Sequence, residues 1–121
     1  MSKTNSVQKN YASKFLGQDV LVKIDRPLGS RHPKYDMTYE VNYGFIPETL
    51  APDGEEVDAY VLGLSKPVAN FKGRCIALIH RLDDKDDKLI VTASDEDFTD
   101  DEIKKLTDFQ ERYFKSVIVR N

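Results

Sequence analysis

The stretch NYGFIPETLAPDGEEVDAYVLG, residues 42–63, holds Asp53, Glu55, Glu56 and Asp58 between two segments in which apolar and polar residues alternate. Successive side chains leave opposite faces of a strand, so alternation with period two reads as β-structure. The flanks therefore predict strands over 38–46 and 56–64, joined by a turn at PETLAPDG. Four carboxylates in six residues repel one another unless a positive charge lies among them. Either solvent and salt screen an ordinary acidic turn, or a cation binds there.

Were the second strand to begin early, Asp53, Glu55, Val57 and Ala59 would share one face and Asp58 the other. Gly54 breaks that phase, because glycine reaches backbone angles that rotate Asp53 relative to the residues after it. Asp53 and Asp58 can then converge, although spacing alone does not establish it. Hard oxygen donors of this kind suit Mg²⁺ or Mn²⁺, which bridge to phosphate oxygens.

Outward from this stretch, DVLVKID (19–25) alternates Val20, Val22 and Ile24 and ends at the loop RPLGSRHP. KPVANFKG reads as a connection closed by Gly73, before a dense apolar strand over 74–82 that is expected to be buried on both faces. Asp83, Asp84, Asp86 and Asp87 form a hairpin tip leading into a strand over 88–94. Such a tip is ordinarily a solvated turn; a second acidic turn in one small domain raises the case for a shared metal site. After residue 97 the period changes. Thr99 with Glu102 is a capping-box pair, and Ile103, Leu106, Phe109 and Tyr113 recur on one helical face, predicting a helix over 100–114. KSVIVRN adds a short last strand. The expectation is a mainly β fold, a small five-stranded barrel, closed or nearly so, with one C-terminal α-helix. The 121 residues suit a single domain, 1–121, with residues 1–14 loosely held.

Net charge −3 and a pI near 5.4 weigh against nucleic acid as a partner. No run is long and apolar enough for a membrane span or a signal peptide, so a cytoplasmic location is expected. The single Cys75, inside an apolar strand, excludes an internal disulfide and reads as a buried filler. Tyr39, Tyr60, Phe71 and Phe109 read as core, and His80 as a hydrogen-bonded structural residue. Against the carboxylates stand Arg26, Arg31, His32 and Lys34 in the loop after the first strand, and Lys88 after the acidic tip. Carboxylates for cations beside Lys and Arg for anions make the arrangement that phosphoryl transfer requires. Any one of these basic side chains taken singly reads as ordinary surface charge.

Three segments resemble the soluble, Mg²⁺-dependent inorganic pyrophosphatases of family I. IDRPLGSRHPKYD is similar to that family's polar loop, with Asp25, Arg31, Lys34 and Asp36 on its polar positions and one residue extra. The 42–63 stretch resembles its Asn-Tyr-Gly-aromatic-Ile signature and Asp-Gly-Asp-Pro-x-Asp metal motif, and RLDDKDDKLIV its later Asp-rich hairpin. The likeness spans residues 18–115. It implies an oligonucleotide-binding-like barrel in which Asp53, Asp58 and Asp86, with Asp83 or Asp84, hold Mg²⁺. Glu55 would take the proton of the attacking water, with Tyr43 and Lys34 as further catalytic residues. Arg31, Lys34, Lys88 and Tyr113 would hold phosphate. The implied reaction is hydrolysis of diphosphate to two phosphates by a metal-bound hydroxide.

This chain departs from the pattern at several points. Glu55 stands for Asp and Glu56 for Pro. The long hairpin after the Lys-Tyr-Asp loop is absent with its phosphate-binding Arg, and Phe114 follows Tyr113 where the family has Lys. The shortened site keeps two other readings open, a hydrolase of an organic or nucleotide diphosphate and a non-catalytic binding barrel. The latter predicts an exposed aromatic and basic strand face with salt-dependent affinity. A barrel this small is also compatible with a homo-oligomer.

Overall fold

Strand β1 (Asp19–Arg26) carries Val20 and Val22 inward, and the chain returns as β2 (Asn42–Ile46) and β3 (Val57–Val61). Then come β4 (Asn70–Arg81), β5 (Asp87–Thr92), helix α1 (Asp100–Glu111) and β6 (Ser116–Val119). The computed structural model describes residues 11–83 and 86–120. The strands neighbour in the order β1-β2-β3-β5-β4, and Asp19–Lys23 of β1 pair with Arg74–Asn70 of β4, which closes the barrel. All pairings are antiparallel except β3 with β5. Strand β6 extends the sheet beyond β4, along Leu78–Arg81. The expected closed five-stranded barrel with one helix is therefore what the chain forms.

Two apolar clusters hold it. Val22, Val57, Ala59, Val61, Cys75, Leu89 and Val91 fill the interior, where a narrow barrel admits mainly small and β-branched side chains. Burial pushes the Cys75 thiol up to about 11, so it remains a neutral filler. On the outside, Tyr60, Ile79, Ile90, Ile103 and Phe109 join α1 to the sheet. Strand β4 is buried on both faces over Cys75–Ile79 for this reason, and β5 throughout.

The helix begins with a complete capping box. Thr99 Oγ1 accepts from Glu102 N–H at 3.1 Å while Thr99 N–H donates to Glu102 Oε1 at 2.8 Å. Its buried face differs from the apolar stripe in the sequence: Ile103, Thr107, Phe109, Gln110 and Glu111 are buried, whereas Tyr113 is exposed. The cause is a buried polar network around the Tyr60 hydroxyl, which draws Gln110 and Glu111 inward.

Two strand limits also differ from expectation. Residues 38–41 are not strand, because Ser30 and Gly29 hydrogen-bond across to Tyr39 and leave only an isolated Arg31–Thr38 bridge. At the other end, β4 starts at Asn70, so Gly73 lies within it. A Cβ at Gly73 would sit 2.2 Å from the Thr92 carbonyl oxygen, and one at Gly44 only 1.9 Å from that of Lys23. These glycines let neighbouring backbones close the barrel. Gly44→Ala is accordingly expected to destabilise the protein by about 1–3 kcal/mol, read as a lower urea midpoint with an unchanged slope.

Residues 1–10 of the expected loose segment lie outside the described residues. Of the remainder, Tyr11 OH accepts from Asp87 N–H at 2.8 Å, Ala12 is fully buried, and a 3-10 turn follows at Ser13–Phe15. Among the described residues no helix is long and apolar enough to cross a membrane.

Candidate active site

The parallel pairing of β3 with β5 sets Asp58 directly beside Lys88. Lys88 Nζ lies 2.5 Å from Asp58 Oδ2 and 3.3 Å from Asp86 Oδ2, with its side chain almost wholly buried. Tyr43 comes from β2. Burial first, then the Asp58 charge, pushes its phenol well above the ordinary pKa. Tyr43 therefore stays a protonated donor at neutral pH.

Strand β1 contributes through an irregularity. Ile24 faces Gly44 but Arg26 faces Tyr43, so Asp25 is an extra residue against one step of β2. A bulge of this kind re-aims side chains. Consecutive residues Asp25 and Arg26 both reach the same cavity wall.

The acidic turn folds on itself. Gly54, at φ +88°, donates to Ala51 O at 2.9 Å, Ala51 N–H donates to Glu55 O at 2.7 Å, and Asp53 Oδ1 accepts from Glu55 N–H at 3.0 Å. The turn leaves Asp53, Glu55 and Glu56 exposed, and the strand begins only at Val57. Electrostatics tie this turn to the other carboxylates. Burial raises the Asp86 pKa, Lys88 opposes, and the charges of Asp53 and Asp58 raise it further. Asp25 is raised in the same way, by burial first, against Arg26, with Asp58 and Glu56 adding.

A cavity of about 750 Å³ opens beside this group. Asp25, Arg26, Asp58 and Arg81 line it together with rings including Tyr39, Tyr43, Tyr113 and Phe114.

Arg81 and Glu111 were not among the candidates. Arg81 Nε and Nη2 donate to the two Glu111 oxygens at 3.1 and 2.8 Å, and both residues are buried. Glu111 Oε2 also accepts from Tyr60 OH at 2.6 Å, and Gln110 Nε2 donates to that hydroxyl at 2.7 Å. Phe114 lies 3.6 Å from the guanidinium carbon of Arg81. The bidentate pair fixes α1 against the barrel beside the cavity. Glu111→Ala would remove both carboxylate bonds from a buried guanidinium, and a loss of about 3–5 kcal/mol in chemical denaturation is expected. Asp108→Ala, which removes an exposed i,i+4 partner of Arg112, should cost about 0.3–0.5 kcal/mol.

Of the residues singled out from sequence, Asp53, Asp58, Asp86, Lys88 and Tyr43 form one electrostatic group, and Tyr113 lines the cavity. Glu55 stands on the exposed turn. Arg31 is ion-paired with Asp36 on the surface, and Lys34 is exposed; neither forms part of the cavity wall. Asp83 accepts from Lys115 N–H at 3.2 Å, and Asp84 lies outside the described residues. His80 Nδ1 is 2.7 Å from Asp87 Oδ1, as a structural histidine would be.

The donor set contains carboxylates without His or Cys, which fits a hard divalent cation. Among the described residues, no three such donors stand close enough to form a ready-made metal site. The Lys88 ammonium supplies the positive charge between Asp58 and Asp86.

The sequence matches the family model described as inorganic pyrophosphatase over residues 8–118. It is 32% identical to the inorganic pyrophosphatase of Rickettsia prowazekii over 132 residues, covering 91% of this chain and 77% of that protein. It is 39% identical to the soluble inorganic pyrophosphatase of Oryza sativa over 80 residues, covering 63% of this chain and 35% of the relative. The chain spans only 35–51% of the length of the plant relatives it matches. Its fold is similar to the inorganic pyrophosphatase of Ehrlichia chaffeensis, with a TM-score of 0.65, 22% identity and 84% of each chain covered. With the family model matched along nearly its whole length, the chain belongs to the inorganic pyrophosphatase family.

Proposed function

We propose that this protein hydrolyses inorganic diphosphate to two phosphates with a divalent metal, Mg²⁺, acting in the cytoplasm. The observation that carries this reading is the group around Lys88, where Asp58 and Asp86 share one buried ammonium at the edge of a cavity. Carboxylates arranged to share a cation, with guanidinium groups lining the same cavity, are what two phosphoryl groups and their counter-ions require.

Asp53, Asp58 and Asp86, with Asp83 or Asp84, are the residues that would hold the metal. When bound, it neutralises phosphate oxygens and acidifies water. Glu55, exposed on its turn, accepts the proton of the attacking water. Tyr43, kept protonated by burial and the Asp58 charge, offers its hydroxyl to the substrate, and Lys88 offers its ammonium to the leaving phosphate. Arg26 and Tyr113 hold the remaining phosphate oxygens from the cavity wall, with Arg31 and Lys34 supplying positive charge from the neighbouring loop. A bond forms between the water oxygen and one phosphorus while the bond from that phosphorus to the bridging oxygen breaks. No covalent intermediate with the protein is involved.

A calorimetric titration with MgCl₂ tests the site directly. Wild type is expected to bind, and both Asp53→Asn and Asp86→Asn to bind at least tenfold more weakly. Equal affinity in all three would remove these aspartates from the metal site. Sedimentation velocity on the same samples reads whether the barrel forms a homo-oligomer.

A further inference from the structure

The cavity is larger than diphosphate needs, and many of the side chains that line it are rings. Its volume of about 750 Å³ falls among sites that enclose an organic molecule, roughly 300–1,000 Å³, and well exceeds two phosphoryl groups. Four of these rings form a series of neighbours. Tyr35 and His32 have centroids 4.7 Å apart, His32 and Tyr39 6.1 Å, and Tyr39 and Tyr43 5.5 Å. Tyr35 is 67% exposed, Tyr39 is 2% and Tyr43 is 9% exposed, so the series runs from solvent to a buried ring that feels the Asp58 charge.

The ring at His32 is fixed and neutral. Its Nδ1 accepts from the backbone N–H groups of Lys34 at 3.0 Å and Tyr35 at 3.2 Å, which places the ring proton on Nε2. Partial burial, then Arg26 and Lys34, lowers its pKa. Core packing accounts for Tyr39 and Tyr43. It does not account for Tyr35 or Tyr113, each 67% exposed and each lining the cavity.

Resting on the proposed phosphoanhydride hydrolysis, we infer that the site accepts a nucleoside diphosphate, its base against Tyr35 and Tyr113 and its phosphates at the Asp58–Lys88 end. Aromatic faces stack on any base, whatever its hydrogen-bonding edge, so the class is set by a flat ring rather than by one nucleobase. The chemistry is that of diphosphate with one phosphoryl group esterified. A water oxygen bonds to the terminal phosphorus, and the bridging oxygen leaves with the nucleoside monophosphate. The products are the monophosphate and inorganic phosphate, and the water's proton passes to Glu55.

The test has a binding arm and a turnover arm. Adenosine monophosphate, which has no phosphoanhydride to cleave, is titrated by calorimetry into metal-free wild type, Tyr35→Ala and Tyr35→Phe. Wild type and Tyr35→Phe are expected to bind alike, and Tyr35→Ala about tenfold more weakly. With Mg²⁺, Tyr35→Ala is expected to raise KM for adenosine diphosphate about tenfold while leaving kcat/KM for inorganic diphosphate unchanged. Diphosphate turnover with neither binding of the monophosphate nor turnover of the nucleotide would overturn this inference and leave the pyrophosphatase reading standing. Turnover of neither substrate would overturn both. Tyr35→Ala that dissociates an oligomer without weakening the monophosphate would assign the exposed rings to a contact between copies, overturning the inference as well.

Discussion

Asp58→Asn is expected to lower diphosphate turnover by about 10²–10³-fold and to raise the Mg²⁺ concentration needed for half-maximal rate. Asp58 is where the site's connections meet. It accepts from Lys88 Nζ, and its charge acts on Tyr43, Asp25 and Asp86. Replacing one carboxylate oxygen by an amide nitrogen removes the charge at nearly constant volume. Lys88 keeps Asp86 as a partner, so its ammonium is not stranded. Asp58 is itself partly exposed, and the unfolding free energy read from urea denaturation should move by less than about 1 kcal/mol. A loss of rate together with a comparable loss of stability would make Asp58 a structural residue.

Glu55→Gln is the second large effect, and it should separate from the first. The variant is expected to lose about 10²–10⁴-fold in kcat while the Mg²⁺ dependence stays as in wild type. The turn that carries Glu55 is held by main-chain bonds from Ala51 and by Asp53 Oδ1, none of which uses the Glu55 side chain. The substitution therefore leaves the turn and the proposed metal ligands in place and removes only the proposed proton acceptor. Glu55→Asp, which shortens the side chain by one methylene, tests reach, since misplacement by about 1 Å can cost around 10²-fold. Unchanged kcat in Glu55→Gln would transfer the base role elsewhere.

Much of the barrel is legible in the sequence because its information is local. Alternation in 19–25 reports Val20 and Val22 facing inward, and Thr99 with Glu102 marks the start of α1. The misjudged limits turn on partners distant along the chain. Gly73 reads as punctuation until the Thr92 carbonyl is seen against it, and residues 38–41 alternate like a strand while bonding to Ser30 and Gly29 instead.

The site divides in the same way. The acidic turn and the 83–87 tip announce themselves by composition, and the Asp-Gly turn does break the phase between Asp53 and Asp58. Nothing local announces the Arg81–Glu111 pair, whose members lie 30 residues apart. One signal was available. Arg81 falls two residues after Ile79 on the same face of β4, and Glu111 falls eight after Ile103 on α1, so each charge occupies an apolar register. Charged residues at such positions imply a buried partner.

The most direct test of the proposed activity is phosphate release from inorganic diphosphate by the purified wild-type protein, with Mg²⁺ and with a chelator in its place. Steady release that requires Mg²⁺ and stops when the metal is chelated is the predicted result. No release with Mg²⁺, from protein shown by circular dichroism and a cooperative urea transition to be folded, would contradict it.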